Sequence, residues 1–348
     1  MSDATRGRAV RPDDVPALVR LFAEVFGHVI SPDHYRWKVL TRPSPVEAVG
    51  IAVDDADRPV FHIAGIPCQC NLAGAQRWVM VAVDAMTAPP FRRRGLLSRY
   101  SVELFERWQA AGVALVLGLP NRNWGSRARA LGWQPLGPLS ALVLPLRPER
   151  ILARKLRVPA LERATIVGQM WHGLAARPAS RDARVQVHPV TGAGDEFDAL
   201  WLRAGSSVAR SLVRDRAWVE WRYLTAPGTE YRVLLATRDG VPVGYAACGF
   251  RDPHTATIAD VFTAPGDTDA FRALVAAVIR DATDRGADLI RALAAEASWP
   301  HRALRAAGFF RTRHALGVEY VQLDRSLTRA DIGAIGDWYL VGGDFDAV

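Results

Sequence analysis

Three consecutive arginines, Arg92-Arg93-Arg94, are followed at once by Gly95 and an apolar repeat of helical period. Upstream, the apolar run 78–87 ends in Thr87-Ala88-Pro89-Pro90. A buried strand that passes through a proline turn into an arginine loop and a helix can seat an anion. The first helical turn exposes unpaired N–H groups and a partial positive charge. Guanidinium groups beside it suit a pyrophosphate, and Gly95 lets the backbone come close. On these grounds alone, a solvated basic turn accounts for the run equally well.

Two other residues are candidates for moving a proton. Asp84 lies inside the apolar run, three residues before Thr87. A carboxylate there would be desolvated, with the raised pKa that a base for an ammonium needs. His62, in the apolar stretch 60–66, is a second candidate base or substrate contact. No metal site is expected. Cys68 and Cys70 are two apart, Cys248 is alone, and no HExxH pair occurs. Three cysteines in this pattern fit a reducing compartment.

These residues must be held by an α/β framework, and the chain shows its plan twice. Trp37-Lys38-Val39-Leu40-Thr41 matches Trp221-Arg222-Tyr223-Leu224-Thr225, and Asp84-Ala85-Met86-Thr87-Ala88-Pro89 matches Asp260-Val261-Phe262-Thr263-Ala264-Pro265. Leu131-Gly132-Trp133 matches Ala307-Gly308-Phe309 in the same order. Such regular recurrence predicts duplication of one unit. The expected divisions are 1–146, a basic connector 147–185, and 186–348.

In the first copy the apolar spacing predicts helices over 11–26, 95–112 and 124–131, and strands over 48–53, 60–66, 78–87 and 113–119. In the second it predicts strands over 232–236, 243–248, 256–262 and 287–293, and helices over 268–285 and 301–307. The fold class is α/β, an α+β mixed sheet in two tandem units. Asp260 holds the place of Asp84 in a copy without the arginine loop. That favours a structural role for Asp84, such as pairing an arginine or capping a turn.

Composition narrows the classes. With 348 residues, 49% apolar and 23% charged, the chain is globular and about two domains long. No stretch of 18 apolar residues predicts a membrane helix, and the mixed-charge start 1–14 does not read as a secretory signal. A cytoplasmic location is expected. Of the cationic residues 42 are Arg and only two, Lys38 and Lys155, are Lys, the bias of a GC-rich genome. Residues 147–184 hold nine basic and three acidic residues, so the net charge of +8 is largely local. Segment 150–174 interleaves cations with apolar residues. It reads as a peripheral contact with an anionic membrane surface or as a packed connector. No nucleic-acid recognition module appears, and no feature sets an oligomeric state.

The loop resembles the pyrophosphate loop of the GNAT (general N-acetyltransferase) superfamily, Arg/Gln-x-x-Gly-x-Gly/Ala after a central strand. Arg92-Arg93-Arg94-Gly95-Leu96 fits, and Leu97 stands where Gly or Ala is usual. Leu117-Gly118-Leu119-Pro120-Asn121 and Ala130-Leu131-Gly132-Trp133 resemble the family's next strand, its Asn and its Leu-Gly-Phe helix end. The resemblance implies transfer of an acyl group from acetyl-CoA or another acyl-CoA to an amine. It implies two central strands splayed in a V around the thioester. The backbone at Ala85, Met86 and Thr87 would bind the pantetheine, one N–H acting as an oxyanion hole. Arg92, Arg93, Arg94, Gly95, Leu96, Leu97 and Ser98 would hold the pyrophosphate, and Asn121 the pantetheine.

In the second copy Asp267 and Asp269 replace the arginines, so one acyl-CoA per chain is expected, with the second copy degenerate. The family's acidic Tyr is replaced by Ala128, leaving Tyr100, Tyr339 or the departing ammonium to supply a proton. The tail 338–346 also resembles those of bilobal GNAT-like proteins. In it, Asp344 and Asp346 would bind a cationic acceptor amine, or else sit in a packed tail. The implied function is N-acyl transfer to a small-molecule amine, an amino sugar or natural product, by direct attack. The alternative is a non-catalytic acyl-CoA sensor or scaffold.

Overall fold

The computed structural model describes residues 5–120, 125–158 and 180–345, and for 125–127 the backbone only. The chain forms two compact units, each assembled from two segments. Unit 1 is Met1–Leu136 with Gly317–Ile332, and unit 2 is Gly137–Leu316 with Gly333–Val348.

Unit 1 begins with β1 (Arg6–Arg8), α1 (Val15–Phe26) and α2 (Pro32–Val39), followed by β2 (Val49–Val53), β3 (Pro59–Leu72) and β4 (Ala75–Thr87). It continues with α3 (Leu96–Ala110), β5 (Val113–Gly118) and α4 (Gly125–Ala130). Strand β6 (Gln134–Pro145) then carries the chain into unit 2, with α5 (Pro148–Leu156), β7 (Val185–Val190), α6 (Asp195–Ala204), β8 (Ser211–Leu212), β9 (Tyr231–Arg238) and β10 (Val241–Asp252). After these come β11 (Thr255–Thr263), α7 (Thr268–Asp284), β12 (Leu289–Ala295) and α8 (Trp299–Ala306). Strand β13 (Phe310–Gln322) brings the chain back to unit 1.

The strand order of unit 1 is β1-β2-β3-β4-β5-β13 and that of unit 2 is β7-β9-β10-β11-β12-β6. In each unit one pair is parallel, β4 with β5 and β11 with β12, and every other pair is antiparallel. The two units thus repeat one topology, as the sequence repeats imply. They are not the contiguous blocks 1–146 and 186–348, because each sheet takes its sixth strand from the other half of the chain. A sixth strand needs only a free edge to pair with, and its sequence does not say whose edge that is.

Local sequence explains the unit 1 elements. Val15, Leu18, Leu21 and Phe22 make the buried stripe of α1, which stops at Gly27 in the left-handed conformation. Ser31 caps α2 by accepting from the His34 N–H, with Pro32 in the first turn. Ala73 and Gly74, both at positive φ, form the two-residue turn that joins β3 to β4. All six residues of β5 are buried, as suits a strand covered on both faces.

Candidate active site

Strand β4 changes character at Asp84. Opposite Ile63 of β3 it carries two residues, Asp84 and Ala85, which is a β-bulge. Asp84 sits at φ 49, in the left-handed region. The bulge turns two successive side chains to one face. Val83 packs with the α1–α2 core, and Asp84 meets Lys38 of α2. The Lys38 ammonium lies 2.9 and 3.0 Å from the two carboxylate oxygens, with the side chains only 3% and 8% exposed. The Asp84 carbonyl accepts from His62 Nδ1 at 2.7 Å, and His62 Nε2 is 2.9 Å from the Tyr35 hydroxyl. Burial pushes the His62 pKa down to about 4, so the ring is neutral at pH 7. With Nδ1 donating to a carbonyl, Nε2 is the acceptor and Tyr35 the donor.

Beyond the bulge, β4 offers a ligand only its backbone. Ala85 packs toward the α3 core, and Met86 is buried with Leu21 and Phe22. Pairing of β4 with β5 ends at Val81–Leu117. Among the described residues, no strand pairs with Ala82 to Thr87 on that side. Strand β5 itself ends one residue after Leu117, at Gly118.

The loop after β4 continues this edge. Arg92 turns back and donates through Nε to the Thr87 carbonyl at 3.1 Å. Arg93 and Gly95 are both left-handed, φ 63 and 77, which folds the backbone into a concave turn before α3. Gly95 stands at the N-cap of α3, and no side chain caps the helix there. A pocket of about 480 Å³ runs from Thr87 to Ser98, bordered by Arg92, Arg93 and Gly95. Arg94 lies over the Phe91 ring at 5.0 Å. Leu97 borders the pocket while packing on the α3 core, which accounts for an apolar residue in place of the usual small one. Uncapped N–H groups, exposed guanidiniums and a turned backbone fit a diphosphate.

Residues 6–136 match the family described as "Acetyltransferase (GNAT) domain". Residues 6–136 are a GNAT acetyltransferase domain. The match ends where the first segment of unit 1 ends. Solved structures share the fold over both units. A GCN5-related N-acetyltransferase from Anabaena variabilis aligns at TM-score 0.66 and 12% identity, covering 92% of this chain and 73% of that one. A GCN5-related N-acetyltransferase from Kribbella flavida aligns at TM-score 0.64 and 17% identity, covering 92% and 71%. A conserved protein from Enterococcus faecalis aligns at TM-score 0.66 and 12% identity, covering 92% and 73%. A comparison with curated protein sequences finds no match.

Outside the GNAT domain, unit 2 treats the corresponding places differently. Helix α7 is capped by Asp267, whose carboxylate accepts from the Ala270 N–H and pairs with Arg238 at 2.8 and 3.0 Å. Asp269 accepts from the Arg181 N–H. Pairing of β11 with β12 ends at Ile258–Ala292. Past that point lies the tail. Val341 bridges Ala294, and Leu340 accepts from the Ala295 N–H. The Tyr339 hydroxyl donates to the Val261 carbonyl at 2.7 Å and accepts from the Thr263 N–H at 3.3 Å.

The tail corrects one expectation directly. Asp344 is not an exposed acid facing an acceptor amine. It is buried, with both oxygens on Arg214 at 2.7 and 2.8 Å and one also on the Val341 N–H. Arg214 also pairs with Asp260, and Tyr223 and Tyr245 donate to the same Asp260 oxygen. Two carboxylates share one guanidinium out of water, and burial pushes the Asp344 pKa up to about 6. Asp346 and Asn121 lie outside the described residues.

The other candidates fall as follows. His62 is buried, with both ring nitrogens engaged, so it faces no acceptor. Asp84 is held by a lysine rather than an arginine. Ala128 is buried in the α3 core. The Tyr100 hydroxyl lies 3.2 Å from Thr5 Oγ1, and Tyr339 is committed within unit 2. In the basic segment, Arg154 pairs with Asp288 and Leu156 is exposed, while 159–179 lie outside the described residues. Among the described residues, no His, Cys, Asp or Glu cluster is set to hold a metal. No helix among them is long and apolar enough to cross a membrane. Sequence reasoning missed Lys38, Tyr35 and Arg214. The signal for Lys38 was its rarity and its place in the repeat.

Proposed function

We propose that the GNAT domain transfers an acyl group, acetyl as the simplest case, from acyl-CoA to a primary amine of a small molecule. An amino sugar or a natural-product amine is the acceptor class, and the reaction belongs to the cytoplasm. The observation that carries this reading is the uncapped start of α3 beside Arg92 and Arg93, continuous with the unpaired edge of β4. The loop 92–98 holds the pyrophosphate of a donor carrying roughly four negative charges. The backbone of Ala85, Met86 and Thr87 lies along the pantetheine and thioester, and an N–H there stabilises the oxyanion.

The neutral amine attacks the thioester carbonyl. The N–C bond forms through a tetrahedral intermediate, the C–S bond breaks, and the amine's proton ends on the departing thiolate. Direct attack requires no covalent enzyme intermediate, and the three cysteines are buried. Asp84 and His62, the candidate bases, shape β4 in this account. The proton passes from the attacking nitrogen to the thiolate directly or through solvent. Unit 2 acts as a degenerate copy that takes no donor.

The alanine at 128 favours a second reading, a non-catalytic acyl-CoA sensor. Thiol release from acetyl-CoA with a panel of amino sugars and polyamines separates the two. Amine-dependent release above the rate without protein is the expected result. Tight acetyl-CoA binding with no release across the panel favours the sensor.

A further inference from the structure

The chain uses arginine almost wherever it needs a cation, 42 times against two lysines. One of those lysines is Lys38, buried at the bulge of the strand that feeds the pyrophosphate loop. At the matching turn of unit 2 the residue is Arg222, which spends its guanidinium on the carbonyls of Gly343 and Phe345. The turn itself therefore accepts arginine. What differs is the task. Lys38 sits between the Phe22 ring, 5.6 Å from the ammonium, and the Asp84 carboxylate. A compact point charge suits that space, whereas a guanidinium brings five donors in a rigid fork that must all find partners.

The pair has mechanical consequences. The left-handed region is disfavoured for residues other than glycine, less so for aspartate than for most, so what holds Asp84 there matters. Asp84 is pinned twice, at its carboxylate by Lys38 and at its carbonyl by His62, which Tyr35 holds in turn. The peptide unit is planar, and its C=O and N–H point in opposite directions. Fixing the Asp84 oxygen toward His62 therefore fixes the direction of the Ala85 N–H. Asp260, in the closed unit, is not left-handed and has no lysine partner.

We infer that Lys38 is a positioning residue for acyl transfer: with His62 and Tyr35 it clamps Asp84 in the left-handed bulge and so aims the Ala85 N–H at the acyl carbonyl. This rests on the acyl-transfer reading above. Lys38 touches neither donor nor acceptor. The clamp acts on the thioester end of the site, and the pyrophosphate loop lies beyond it. Its loss should therefore affect recognition of the acyl group and leave the nucleotide alone.

The test is calorimetric binding of CoA and acetyl-CoA to the full chain and to Lys38→Met and Lys38→Arg. The wild type is expected to prefer acetyl-CoA several-fold. Both variants should lose that preference while keeping CoA affinity within about twofold. With any amine that supports turnover, kcat should fall at least tenfold with little change in the KM for acetyl-CoA. Failure of Lys38→Arg to rescue is part of the expectation, since a general need for positive charge would be met by it. Should Lys38→Met fail to fold, Asp84→Asn is expected to show the same loss of preference. Variants that keep both the preference and kcat overturn the inference alone, as does a wild type without the preference. A wild type that binds no CoA overturns the acyl-transfer reading together with it.

Discussion

Pairing of β4 with β5 and of β11 with β12 stops at the same place in one repeated topology, yet what lies past that point differs. In unit 2 it is the chain's own tail. Tyr339, Leu340 and Val341 satisfy main-chain groups of β11 and β12, and Asp267 caps the helix that follows. In unit 1 no side chain caps α3, and among the described residues no strand pairs with the edge from Ala82 to Thr87. Buried backbone groups must be paired somewhere. A strand edge served by the protein itself is structure, and one left for solvent or ligand is a site. The carboxylates follow this division. Asp260 is locked by a guanidinium and two phenols, whereas Asp84 holds a strained bulge in place with one lysine.

The largest effect expected from this contrast is in unit 2. Arg214→Ala leaves Asp260 and Asp344 buried without their shared cation, which costs about 3–5 kcal/mol. Denaturant unfolding followed by tryptophan fluorescence should show that loss. A change below about 1 kcal/mol would mean that the tail is not held by this network.

A somewhat smaller effect belongs to unit 1. His62 has its pKa lowered from 6.5 to about 4 by burial. Between these values the unfolded chain binds a proton that the folded chain refuses. Its contribution is therefore complete above pH 6.5 and is lost as pH falls toward 4, on the order of 3 kcal/mol in all. Asp344, raised to about 6, works in the opposite direction in unit 2. Melting temperatures of wild type and His62→Gln across pH 7 to 4 isolate the unit 1 component. Equal slopes for the two proteins would count against it.

What was legible in the sequence was local or repeated. The arginine loop, the strand before it and the helix after it are contiguous, and their order follows from hydrophobic period and turn residues. The duplication was legible because Trp37-Lys38 and Asp84 each recur as short strings. The illegible features join distant positions. Asp344 meets Arg214 130 residues away, and Lys38 meets Asp84 46 away. Nothing in a tail of four apolar residues, two glycines and Asp-Phe-Asp distinguishes a plug from a binding arm. The exchange of β6 and β13 is hidden for a similar reason, since a strand's pattern states which face is buried and not which neighbour it pairs with. The left-handed Asp84 was invisible because aspartate reads as a desolvated acid until its backbone is seen.

The central claim is that one strand edge serves a ligand and the other serves the fold. Calorimetric titration of CoA into the intact chain, beside the triple variant Arg92→Gln, Arg93→Gln, Arg94→Gln, tests it most directly. The account predicts a single site per chain whose affinity falls about 100-fold in the variant, from lost charge-assisted contacts. Two equivalent sites, or a variant that binds CoA as well as the wild type, would contradict it.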